Sequence, residues 1–359
     1  MNSAPEIIAA VLVLFTMVPA IASISKFDHW MIRGFDFPRL QISFITLLVF
    51  LLVLISFSFD NTFHYILSGL VLACLVYQVV KIFPYTIFAK KQVMSFKGED
   101  PDKLISILVS NVLMTNRDYN RLISHIHNYQ PDLLLTLETD KKWEEALSVI
   151  EEKFPYSIKI PQDNLYGMHL YSKLELQDIE IKNLISDEIP SIHGFVKMKC
   201  GQRVKIHCLH PKPPSPTEDD TSTNRDAELL MVGKDAKADE ESIIVFGDLN
   251  DVAWSRTTRL FQKISGLLDP RRGRGFFNTF NANYPLFRWP LDHLFHTCDF
   301  TVVEIHRLKN IGSDHFPIFV KLNFEPRAEI IQEETPEADQ DEKEWVDEKI
   351  SDGKPQEMV

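Results

Sequence analysis

Ile243-Ile244-Val245-Phe246-Gly247-Asp248-Leu249-Asn250 passes from an unbroken apolar run straight into two polar side chains. Farther along, Gly312-Ser313-Asp314-His315-Phe316-Pro317 sets an acid and an imidazole against a second apolar run. Between them, Leu291-Asp292-His293 repeats the pattern. Buried strands do not ordinarily end in carboxylates, because desolvating a charge is costly unless a partner or a metal compensates. Three such endings in one region predict a shared site.

Upstream, the period of two along a strand extends the pattern. Ile105, Ile107 and Val109 lead to Asn111, and Leu134 and Thr136 lead to Glu138. Val204, Ile206 and Cys208 lead to His210, as Ile244 and Phe246 lead to Asp248. Each has a plainer reading when taken alone. Asn111 suits a loop-capping amide, Glu138 the first-turn charge of a following helix, and His210 a satisfied strand end. Asp248 and Asn250 suit an Asx turn, and Asp314-His315 a loop cap. Together, in this order and spacing, they favour one rim of polar groups where several apolar faces run out.

The intervening chain alternates short apolar runs with amphipathic stretches. Strands are predicted at 104–110, 133–137, 168–172, 194–199, 203–209, 242–246, 294–296, 301–306 and 316–322, and helices at 120–128, 141–153, 218–237 and 257–264. Many strands, fewer helices and a hairpin turn at Cys200-Gly201-Gln202 argue for packed mixed sheets flanked by helices, not one parallel sheet.

Residues 1–83 differ in kind. Stretches at 7–24, 42–59 and 65–83 approach the roughly 20 apolar residues that a bilayer-spanning helix needs. Lys26, Arg33 and Arg39 follow the first stretch, and Lys81, Lys90, Lys91 and Lys97 close or follow the third. The loop between the second and third has no Lys or Arg. The positive-inside bias therefore places the first loop and everything after residue 83 in the cytosol, at the plasma (inner) membrane. Residues 84–103 read as a linker that reaches at most ~70 Å at about 3.5 Å per residue. The tail, 325–359, holds thirteen Asp/Glu against four Lys/Arg, so it carries most of the net charge of −12 and reads as disordered. The domain between is close to neutral, which leaves an anionic substrate electrostatically admissible. Four cysteines without paired spacing exclude a disulfide framework and fit a reducing compartment.

The ordered set Ser110-Asn111-Val112, Leu137-Glu138, His210, Gly247-Asp248-Leu249-Asn250, Leu291-Asp292-His293 and Ser313-Asp314-His315 resembles the endonuclease/exonuclease/phosphatase superfamily over residues 104–324. The resemblance implies an α/β fold: a two-sheet sandwich flanked by helices, here preceded by a transmembrane region. It also implies phosphoester hydrolysis with Mg²⁺ or Mn²⁺. On that resemblance Asn111 and Glu138, supported by Asp314, would hold the metal through oxygen. Asp248 would orient or deprotonate the attacking water. Asn250 and His210 would donate to the phosphate, and His315, paired with Asp292, would supply a proton or stabilise the transition state. Two positions depart from common members. Thr136-Leu137 stands where Gln often precedes the Glu, and Lys173 follows Ser172 where Arg is frequent.

The substrate is left open. Arg225 and the run Arg271-Arg272-Gly273-Arg274 suit either nucleic-acid phosphates or anionic lipid and sugar-phosphate headgroups beside a membrane, and equally a solvated basic loop. The leading expectation is a membrane-anchored metal-dependent phosphoesterase, of nuclease or of lipid or inositol phosphate type. The alternatives are a non-catalytic scaffold of the same fold, against which the complete set of Glu138, Asp248 and His315 argues, and a channel, against which the scarcity of ionisable residues in the spans argues. The bilayer is the one expected partner besides substrate; no protein partner is inferable.

Overall fold

The computed structural model describes residues 4–353 apart from 97, 99, 331, 333 and 334. Lys97 and the chain ends at 1–3 and 354–359 thus lie outside the described residues. The chain opens with α1 (Ala4–Ile24), the short α2 (Trp30–Arg33), α3 (Arg39–Ser56) and α4 (Thr62–Ile82). The three long helices are long and apolar enough to cross a membrane. They pack on one another through Ala9, Val13, Val49, Val53, Leu67 and Val71, mostly small or β-branched residues that let helix backbones approach. Their outer faces expose Phe15, Phe44, Ile55 and Val80. All three start a few residues before the apolar windows suggest, because their first turns carry polar groups. Asn61 caps α4 by accepting from His64 N. Arg39 opens α3 and is buried against Asp36, Ser23 and Gln78.

The rest of the chain builds β1 (Leu104–Asn111), α5 (Tyr119–Tyr129), β2 (Leu133–Leu137), α6 (Lys141–Leu147), β3 (Tyr156–Ile160), β4 (Met168–Ser172), β5 (Glu175–Lys182), β6 (Ser191–Lys197) and β7 (Arg203–Leu209). There follow α7 (Thr223–Ala238), β8 (Ser242–Asp248), α8 (Arg256–Ser265), β9 (Asp292–His296), β10 (Phe300–Arg307), β11 (Ile318–Phe324) and α9 (Gln340–Asp352). One sheet has the order β10-β11-β1-β2-β4-β3 and the other β5-β6-β7-β8-β9. Ile105, Ile107, Val109, Ile244 and Phe246 fill the space between the sheets. Alternate residues face outward: Leu108 and Leu134 meet α5 and α6, while Ile243 and Val245 meet α7 and α8. Strands buried on both faces read as unbroken apolar runs, which is why 242–246 carries no alternation. The architecture is the expected two-sheet α/β sandwich with flanking helices.

Several elements differ from the sequence reading, each for a local reason. β3 and β5 are edge strands whose mixed polar sequences give no apolar run. The helix expected at 141–153 stops being α-helical at Leu147 and finishes as a 3-10 turn. The linker is not free chain: Val93 is fully buried in the core, and Phe96 N donates to Val302 O beside a bridge from Ser95. The acidic tail expected to be disordered contains α9, started by a capping box of Asp339 and Glu342. Its Trp345 and Val346 pack on Leu230, Leu260 and Ile264. Lys263 pairs with Glu342 and Lys234 with Asp347, so ion pairs join the apolar contacts in docking a helix whose composition alone reads as solvated.

The helical region is docked directly on the sandwich. Trp254 Nε1 donates to Asp36 O at 2.7 Å, and the Tyr85 hydroxyl donates to Ala253 O at 2.6 Å. Arg33 donates to Ala22 O and Ser25 O at the end of α1, satisfying carbonyls that a helix terminus leaves open.

Candidate active site

Strand register brings the polar ends together. β1 and β2 run parallel with Asn111 beside Leu137, so Glu138 follows one residue past its neighbour's end. Glu138 takes a left-handed φ of 58°, which turns the chain out of the strand at that point. In the other sheet β8 pairs antiparallel with β9, and Asp248 stands directly opposite Asp292. Gly247, with φ 148°, has no alternative here, because a Cβ would lie 2.0 Å from Leu209 O on the neighbouring strand. Asn111 spans the two sheets: its Nδ2 donates to Glu138 Oε1 at 2.7 Å and to Asp248 Oδ2 at 3.1 Å.

His315 comes from the loop before β11. Ser313 holds that loop, donating through Oγ to Asn111 O and accepting from His315 N. The imidazole lies between two buried carboxylates, with Nδ1 2.8 Å from Asp292 Oδ2 and Nε2 3.5 Å from Asp248 Oδ2. Burial by itself would discharge His315, but the charges of Asp248 and Asp292 overcome it and raise its pKa to about 10. Burial opposes ionisation of Asp248 as well; His315 and His210 outweigh it and hold that carboxyl below its usual range. Burial lowers His210 to about 4, leaving it neutral at physiological pH. Burial raises Glu138 to about 7, and nearby Asp314 and Asp248 add to the rise. These groups line a cavity of about 280 Å³.

The model of the Endonuclease/Exonuclease/phosphatase family matches residues 108–315, a stretch that begins within β1 and ends on His315. The chain belongs to this family. Among solved structures, D. rerio TDP2 complexed with single-strand DNA product is similar at 18% identity, covering 61% of this chain and 99% of that one, with a TM-score of 0.51. The human Nocturnin catalytic domain with bound sulfate is similar at 16% identity, covering 62% and 94%, also with a TM-score of 0.51. At these identities the likeness is one of fold. No curated protein matches the chain in sequence.

Enzymes of this endonuclease/exonuclease/phosphatase family use divalent metal ions, and the cavity wall fits one. Glu138 Oε2 is buried with no hydrogen-bond partner, and its carboxyl is held near neutrality by burial, the condition a divalent cation relieves. Asp314 lies on the same wall, and no Lys or Arg lines the cavity among the described residues. Asp248, Asp292 and His315 also have ligand atoms within 4.8 Å of one another, a spacing that could hold a metal. Glu138 and Asp314, which line the same cavity, offer a second set of oxygens to a cation. Asn111 Oδ1 accepts from Leu113 N at 3.1 Å, and its Nδ2 faces Glu138 and Asp248.

Other expected site residues go elsewhere. Asn250 lines the cavity, but its Nδ2 donates to Pro211 O and its backbone N to Asp248 Oδ1, which is the Asx turn. Arg225 is buried, paired with Asp226 and donating to Asn250 O. Arg271 is buried against Asp269, Asp292 O and His293 Nδ1. Arg274 donates to Val93 O and Ser95 Oγ, and Arg272 lines a separate cavity with Lys81 and Arg259. None of the four arginines reaches the cavity of His315. That cavity gains residues the strand pattern did not mark: Phe37, Tyr166, Glu218 and Phe280. The Tyr166 hydroxyl donates to Glu218 Oε2 at 2.9 Å, and Phe280 lies 4.9 Å from the His315 ring. These four sit on loops or strand-free segments, where no periodic signal marks a side chain's direction.

Proposed function

We propose that the protein is a membrane-anchored, divalent-metal-dependent phosphoesterase whose catalytic domain lies on the cytosolic side. The observation that carries the reading is His315, held by Asp292 and Asp248 at one cavity with Glu138, whose Oε2 has no hydrogen-bond partner. An acid, a base and a carboxylate suited to hold a cation thus face one space, which suits in-line hydrolysis of a phosphate ester.

A metal bound by Glu138 and Asp314 would neutralise the phosphoryl oxygens and stabilise the leaving oxygen. Asp248, ionised at neutral pH, accepts the proton of the attacking water. His315 donates a proton to the leaving oxygen, and Asp292 fixes its tautomer and orientation. Neutral His210 offers one N–H to a phosphate oxygen. Asn111 keeps Glu138 and Asp248 apart and aligned.

Anchoring is supported by the contiguous exposed apolar residues of α1, α3 and α4, each helix long and apolar enough to cross a membrane. The cytosolic side is supported by Lys26, Arg33, Arg39 and Lys81 at the ends of the helices on which the sandwich docks. The test is hydrolysis of bis(4-nitrophenyl) phosphate by the full chain in detergent with Mg²⁺ or Mn²⁺. Activity should vanish on His315→Ala and in excess EDTA; activity indifferent to EDTA would sink the metal reading.

A further inference from the structure

The rim of the His315 cavity is built partly from the membrane region. Phe37, the second residue before α3, lines the cavity with Phe280 and Leu291. Its ring packs edge-on against Trp289 at 5.8 Å, and Trp289 pairs through its backbone with Phe280. From Phe280 the chain runs out to a tip, Tyr284-Pro285-Leu286-Phe287, and returns to Trp289. Gln41, in the first turn of α3, donates from Nε2 to Leu286 O at 2.6 Å. The loop tip is therefore level with the start of a helix whose neighbouring Leu40 and Phe44 are exposed and apolar. At the tip, Tyr284, Leu286 and Phe287 are 62%, 78% and 54% exposed, a cost in water that the interface of a bilayer removes.

The charge of the cavity points the same way. Its wall carries Glu138, Glu218, Asp248 and Asp314 and, among the described residues, no Lys or Arg. A single-stranded polynucleotide is ordinarily held by a cationic groove that follows successive phosphates. Arg225, Arg271 and Arg274 are spent on contacts within the protein, and Lys212, beside the cavity residue Glu218, is paired with Asp219 at 3.2 Å. The cavity suits one phosphate group attached to an apolar body.

We infer that the substrate is a phosphodiester membrane lipid, which reaches His315 from the bilayer across the rim formed by Phe37, Phe280 and the 284–287 loop. The inference rests on the phosphoesterase and membrane-anchoring readings above and adds the substrate class. In the reaction the water oxygen bonds to phosphorus and one P–O ester bond breaks. His315 gives its proton to the departing alcohol oxygen and Asp248 takes one from the water. The 3.5 Å between Asp248 Oδ2 and His315 Nε2 lets that proton return to the imidazole. No oxidant or co-reactant other than water enters.

The test uses the full chain reconstituted with Mn²⁺ in vesicles of phosphatidylcholine, phosphatidylglycerol and sphingomyelin. Lipid cleavage is read by mass spectrometry, with bis(4-nitrophenyl) phosphate and a single-stranded oligonucleotide as parallel substrates. Lipid should be cleaved at least about tenfold faster per phosphodiester than the oligonucleotide. Leu286→Asp, at an exposed tip outside the cavity, should cut lipid cleavage at least about tenfold and leave the soluble ester unchanged. Preferential cleavage of the oligonucleotide, or lipid cleavage indifferent to Leu286→Asp, overturns the inference. So does hydrolysis of the soluble ester without any lipid cleavage, and that outcome leaves the phosphoesterase reading standing. Inertness toward all three substrates removes the phosphoesterase reading and the inference together.

Discussion

Asp292 Oδ2 lies 2.8 Å from His315 Nδ1, and the two residues reach one another from β9 and from the loop before β11. The contact fixes which nitrogen faces the cavity and favours the charged imidazole. Asp292→Asn keeps the shape and removes the charge. It should lower kcat by about 100-fold or more and bring the basic limb of the pH–rate profile down from its wild-type position. An unchanged profile with unchanged kcat would assign His315 no catalytic proton.

Glu138 lines the cavity and has a buried oxygen with no hydrogen-bond partner. Glu138→Gln should weaken Mn²⁺ binding, followed by electron paramagnetic resonance, by more than the roughly 10–100-fold that loss of an outer-shell partner costs. Asn111→Ala should weaken it less, because that side chain reaches Glu138 with nitrogen. Equal losses for the two variants would place the Asn111 oxygen on the metal.

Acid should destabilise the fold. Burial holds His169, His193, His210 and His296 at about 4, and His207 and His293 at about 3. Above about pH 6.5 these histidines are neutral in both states. As pH falls below that, the unfolded chain binds protons that the folded chain refuses, so stability drops by up to ~1.4 kcal/mol per pH unit for each. His315 acts with the opposite sign, its stabilisation being complete below about pH 6.5 and lost as pH rises toward 10. Glu138 and Glu228, raised by burial to about 7 and about 8, gain stability on acidification but are outnumbered. The urea midpoint should be lower at pH 5.0 than at pH 7.5; equal midpoints would contradict neutral burial of the histidines.

Helix α9 should contribute measurably. Trp345 is buried against Leu230, Leu260 and Ile264, with Arg256 4.2 Å over its ring. Trp345→Ala should cost about 3 kcal/mol by loss of packing, seen as a lower melting temperature. A disordered tail would give no change.

Topology is testable without activity. A reporter fused after Val359 should score as cytosolic, and a cysteine placed at exposed Asp60, between α3 and α4, should react with an impermeant thiol reagent from outside. The reverse pattern would invert the assignment.

Local sequence determined most of the strands and, for three of them, the direction in which the last side chain points. A period of two reports which face is apolar, and Asn111, His210 and Asp248 fall where the face between the sheets ends; Glu138 follows Leu134 on the opposite face and is brought to the cavity by its left-handed φ of 58°. The same logic could not foresee the fates of Arg225 and Arg271, because a long polar side chain takes whichever acceptor the packed chain presents within reach. Composition likewise misread the tail, since Trp345 and Val346 matter only once α7 and α8 offer them a surface. Gln41 and Leu286, 245 residues apart, meet with no trace in either segment. Local periodicity records burial, whereas the partners of a given side chain, and the rim of this cavity, are set by contacts that exist only after the chain has closed on itself.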